Sequence, residues 1–115
     1  MFDRWHSNPR FPTLKQVQRT VYVDMYKALP GSVGGLVRDR NITIRSDGLR
    51  LEAWMCGHQL AWIRTHDEHW LGIIELEVRS SNEMSSITMQ LWLAPHMFQL
   101  ERPAAYYEPR DSPRI

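Results

Sequence analysis

A chain of 115 residues and 13.6 kDa is long enough for one domain and too short for two. With 43% hydrophobic and 23% charged residues it has an ordinary globular composition, which excludes wholesale disorder. The net charge of +1 excludes a strongly basic or acidic chain but hides an asymmetry: residues 1–50 hold nine Arg/Lys against four Asp/Glu, and residues 51–115 five against nine.

No apolar run approaches the length that crosses a bilayer, so no membrane partner is expected. Met-Phe-Asp-Arg-Trp-His lacks the apolar core of a secretory signal, and the single Cys56 has no internal partner for a disulfide. The expected location is the cytoplasm, or a virion if the chain is phage-encoded. Arginine outnumbers lysine twelve to two, a bias of GC-rich coding that fits an actinobacterial or phage accessory protein.

Residues 1–12 contain Asn8-Pro9 and Phe11-Pro12 and read as an extended arm. Thr13 with Gln16 three residues on forms a capping box, and Leu14, Val17, Val21, Met25 and Leu29 recur at three- and four-residue steps. That spacing predicts an amphipathic helix over 13–29, ended by Pro30-Gly31. The competing strand reading rests on β-branched and aromatic Thr20-Val21-Tyr22-Val23. Residues 30–35 form a glycine-rich connection, and no Gly-Lys-Ser/Thr follows to make it a phosphate loop.

From residue 36 onward the apolar period falls to two. Ile42 and Ile44 alternate with polar partners up to Ser46-Asp47-Gly48, which reads as a hairpin turn. Leu49, Leu51, Ala53 and Met55 share the next strand face, and Gly57-His58 reads as a second tight turn before Leu60–Ile63. Trp70, Gly72, Ile74, Leu76 and Val78 line a longer strand. Ile87, Met89, Leu91 and Leu93 line another, and Phe98-Gln99-Leu100 is a short closing strand. The fold class is therefore α+β and mostly β. An N-terminal helix precedes an antiparallel meander of four or five strands over 36–100, followed by a Pro-rich tail over 101–115.

A sheet with apolar residues on both faces either buries one face under the helix or curls into a small barrel. The short hairpins, the long strand Trp70–Arg79 and the Leu-Ala-Pro-His-Met-Phe break before a terminal strand resemble an SH3-like small barrel over residues 42–100. That resemblance implies a single 3₁₀ turn at the break. It also implies a binding module more readily than an enzyme.

The chemistry-bearing residues point the same way. Cys56-Gly57-His58 and His66-Asp67-Glu68-His69 lack the paired spacings of structural zinc, and no metal or other cofactor is expected. Glu75 and Glu77 share one strand face as solvated carboxylates, no nucleophile motif is present, and no catalytic residue is assigned.

Trp62 and Trp70 keep step with the apolar faces of their strands, whereas Trp54 and Trp92 fall opposite. Trp54 and Trp92 are therefore candidates for partner binding, together with Tyr106 and Tyr107, the natural anchors of a tail too proline-rich to hold itself in place. The leading expectation is a non-catalytic interaction or structural module inside a larger assembly, with a protein partner or self-association. The alternative is a nucleic-acid binder using Arg38, Arg40, Arg45 and Arg50 of the basic half.

Overall fold

The computed structural model describes residues 1–33 and 42–106. In chain order the elements are β1 (Leu14–Asp24), α1 (Met25–Ala28), α2 (Ile42–Asp47), β2 (Trp54–Arg64), β3 (Trp70–Arg79), β4 (Ser86–Leu93), a 3₁₀ turn (Pro95–Met97) and β5 (Phe98–Gln99). The five strands form one antiparallel sheet in the order β4-β3-β2-β1-β5.

The helix expected over 13–29 is instead β1 followed by the four-residue α1. The stripe mixes two faces of one strand. Leu14 packs against the outer cluster of Ala61, Ile63 and Ile73, whereas Val21, Val23 and Met25, fully buried at a period of two, belong to the inner core. Pairing with β2 also slips between Gln16 and Arg19. Burial on one face of a pleat outweighs the helical spacing.

Two further expectations are corrected. Ile42–Asp47 is a helix, not a strand, and Gly48 N–H donates to Ile44 O at 2.8 Å where a hairpin turn was expected. Asn82 Nδ2 tethers that helix end, donating to Asp47 Oδ1 at 3.0 Å and Ser46 Oγ at 3.3 Å. Gly57-His58 is not a turn but lies inside the eleven-residue β2. A Cβ on Gly57 would stand 2.9 Å from Glu75 O, so glycine serves close strand approach there and not a reversal.

The 3₁₀ turn and β5 fall where the break before Phe98 predicts them. Their position shapes the sheet. Leu93 ends one edge strand, and Phe98 pairs with Val23 at the opposite edge. The five Cα steps between them reach at most about 18 Å. A flat sheet would separate those two strands by about 19 Å, before any shortening by a 3₁₀ turn. The sheet is therefore curled, with the Pro95–Phe98 segment crossing its inner face. It is also open: β4 and β5 are its edges, with no pairing between them among the described residues.

On the inner face Val21, Val23, Met25, Ile74, Leu76, Val78, Leu93 and Phe98 form one buried cluster. The outer face has a smaller cluster of Ala61, Ile63 and Ile73, covered by Leu14 and by Phe2 from the N-terminal arm. Ser7 Oγ fixes that arm by accepting from Thr13 N–H at 2.9 Å, and Trp5 Nε1 donates to Thr13 Oγ1 at 3.1 Å.

Candidate functional site

Lys15, Trp62 and Gly72 are neighbours across β1, β2 and β3, and Arg64 pairs with Trp70 one step of the pleat away. Directly opposed residues of an antiparallel sheet share a face, so Lys15, Trp62, Arg64 and Trp70 all belong to the inner one. The inner core does not extend beneath all of them. A hollow of ≈ 270 Å³ opens there, lined by Lys15, Trp62, Trp70 and Pro95.

Each indole carries a guanidinium. Arg19 Cζ lies 5.8 Å from the Trp62 ring centre, and Arg64 Cζ lies 5.3 Å from that of Trp70. Both distances are within cation–π range. Trp62 also packs against Phe98, with ring centres 5.5 Å apart, so the crossing segment fixes that indole.

Arg19 is held in turn by Gln59, a fully buried side chain whose Oε1 accepts from Arg19 Nε at 2.8 Å. Gln59 Nε2 donates to Ala61 O at 3.1 Å, so both ends of the amide are used. Burying an amide is costly unless it is bonded in this way. Arg64 donates through Nη2 to the exposed Glu68 carboxylate at 3.2 Å, while its buried Nε has no acceptor among the described residues.

Among the described residues the lining holds two indoles, a proline ring and a lysine, with two arginines at its margin. It suits recognition of an anionic group beside an apolar or planar one.

The residues expected to bind partners are scattered. Trp92 is 47% exposed on the outer face, and its Nε1 donates to Gln90 Oε1 at 3.1 Å. Trp54 is half-buried at the start of β2, seven positions from Ala61, the residue in line with Trp92 across β3. The two therefore do not form one surface. Tyr106 meets Tyr22 edge-on at 5.1 Å with Arg102 over its ring at 5.0 Å, a contact within the chain. Tyr107, Arg38 and Arg40 lie outside the described residues.

Arg45 is exposed on α2 and borders a separate hollow of ≈ 280 Å³ with Ile42, Ser46, Ser81 and Asn82. Arg50 Nε donates to Glu52 Oε2 at 2.8 Å. Neither residue contributes to the tryptophan hollow. The histidine- and cysteine-bearing segments also stay apart. Cys56-Gly57-His58 is strand, His58 Nε2 hydrogen-bonds Gln18 Oε1 at 2.7 Å, and His66 is exposed beside Asp67. Among the described residues no group of three or more His, Cys, Asp or Glu converges, and no helix is long and apolar enough to cross a membrane.

Sequence reasoning missed the pairing of cations with Trp62 and Trp70. The usable signal was the common parity of Trp62 and Arg64, two positions apart on one strand. The link from Arg19 to Gln59 spans forty residues and left no local trace. Comparison with known proteins adds no relative: no family model, curated protein or solved structure matches the chain.

Proposed function

We propose that the chain is a non-catalytic interaction module of a larger assembly, and that an extended acidic segment of a partner protein docks in the Trp62–Trp70 hollow. The observation that carries this reading is the Gln59–Arg19–Trp62 arrangement. A fully buried amide is committed to holding a partly exposed arginine over an indole beside an open hollow. Arginine and tryptophan fixed in advance lose little freedom on binding, which favours their use as anchors. Lys15, Arg19 and Arg64 favour carboxylates, and the indoles and Pro95 favour apolar or proline side chains between them. The path from β4 through a 3₁₀ turn to a short strand on β1 supports the SH3-like reading of the architecture.

A second reading, nucleic acid, is favoured by one feature of the same hollow. Cation-flanked indoles stack unpaired bases as readily as they hold peptides. Arg45 and Arg50 would then be peripheral to the site.

Selection of displayed random peptides on the purified chain tests the proposal. The expected winners carry acidic residues around a proline or aromatic residue and lose binding to the Arg19→Glu/Arg64→Glu variant. Selected peptides that bind this variant equally well would overturn it. Tighter, steeply salt-dependent binding of oligothymidylate, abolished in the same variant, would establish the second reading instead.

A further inference from the structure

The two sheet edges are treated differently by the sequence. The β1 edge is guarded: β5 covers Tyr22 and Val23, and the uncovered stretch contains Lys15, Arg19 and a bulge. On the β4 side, Ser86–Leu93 has no charged residue, no proline and no glycine. Its register with β3 is unbroken over eight pairs, from Gly72–Leu93 to Arg79–Ser86. Among the described residues no strand lies on its far side. Long, regular, uncharged edges are what folded proteins normally avoid, because half of the backbone donors and acceptors are left facing outward as a template.

We propose that β4 is a self-association edge, pairing antiparallel with β4 of a second copy of this chain about a two-fold axis at Met89. The strand's own chemistry selects that occupant. A charged peptide finds no complementary charge along Ser86–Leu93, whereas a second copy opposes no like charges. Alternation also matches. Centred on Met89, Ile87 faces Leu91 on the inner side, while Thr88 faces Gln90 and Ser86 faces Trp92 on the outer side. Pairing covers two of the large apolar side chains left in solvent, Ile87 at 57% exposure and Trp92 at 47%. The two curled sheets join into one of ten strands. No lining residue of the tryptophan hollow belongs to β4, so this association and the docking proposed there are independent.

Sedimentation equilibrium of the full chain, over roughly a hundredfold range of concentration, provides the test. Thr88 and Gln90 are both exposed, so substitutions there spare the core. The wild type is expected to approach twice 13.6 kDa as concentration rises. Thr88→Lys/Gln90→Lys places lysine opposite lysine twice in the dimer and should raise its dissociation constant by about tenfold or more. Thr88→Lys/Gln90→Glu places lysine opposite glutamate twice and should recover most of the lost affinity, with unchanged circular dichroism in both variants. Because Gln90 lies across from Glu75, the glutamate variant should unfold at a slightly lower temperature. A wild-type chain that stays at monomer mass throughout would overturn the proposal. So would a dimer indifferent to the lysine pair, or a lysine–glutamate variant no better than the lysine–lysine one.

Discussion

Among the described residues, eight buried on the inner face and drawn from β1, α1, β3, β4 and β5 form one cluster, whereas on the outer face Ala61, Ile63 and Ile73 are buried together. The inner cluster is closed by the chain's own crossing segment, with Phe98 lying over Gly72 and Met97 beside it. The outer one depends on Phe2, reached through an arm that two side-chain hydroxyls hold in place. The difference teaches that the larger core and the open hollow share the inner face. The hollow opens where the inner core runs out, between Trp62 and Trp70.

The largest effect should come from the inner core. Ile74→Ala empties a fully buried site inside the eight-residue cluster and should cost about 3–5 kcal/mol, whereas Ile63→Ala at the margin of the outer cluster should cost about 2. Urea unfolding of both variants gives the comparison, and equal losses would break it. Next in size is the contact that closes the inner face. A Cβ on Gly72 would stand 2.6 Å from Phe98 Cζ, so Gly72→Ala should cost about 1–3 kcal/mol. The same substitution in a Phe98→Ala background should cost clearly less, and a double-mutant cycle measures that coupling.

Gln59→Leu keeps volume but leaves Ala61 O without its side-chain donor and frees Arg19. A loss of about 1 kcal/mol is expected, with a shifted Trp62 indole N–H resonance as the sign that Arg19 has moved. At the small end, Arg50→Ala removes an exposed ion pair with Glu52 and should change stability by less than about 0.5 kcal/mol. A larger change would mean that the α2 end contributes more than its exposure implies.

The same contrast governs what was legible in the sequence. β3 and β4 were readable because their alternation is uninterrupted, as their unbroken register shows. The closing strand was readable because Pro95 punctuates the chain just ahead of it. β1 was not, because Leu14 serves the outer cluster while Val21, Val23 and Met25 serve the inner one, and the mixture of two faces imitates helical spacing. β2 was split in two because Gly57 signals a turn locally, while its actual reason is Leu76 and the Glu75 carbonyl on the next strand. Ile42–Asp47 carries β-branched residues yet forms a helix tethered by Asn82, which no local pattern reports.

For the candidate site, strand parity put Trp62 and Trp70 each in step with the apolar face of its own strand. It could not show that the core stops short of them, nor that Arg19 reaches Trp62 through Gln59. Trp54 and Trp92 drew attention by falling out of step with their neighbours, but two residues of one face need not meet when their strands are offset by seven positions.

The central claim is that binding takes place on the inner face at the tryptophan hollow, and amide and indole shift mapping of the ¹⁵N-labelled chain tests it most directly. On titration with an acidic, aromatic-bearing peptide, the account predicts that the largest perturbations fall on the indole N–H groups of Trp62 and Trp70 and on the amides of Lys15, Arg19 and Arg64. Trp92 and Arg45 should stay still. Perturbations centred on Trp92 or on Arg45 and Arg50, with the Trp62 and Trp70 indoles unmoved, would contradict it.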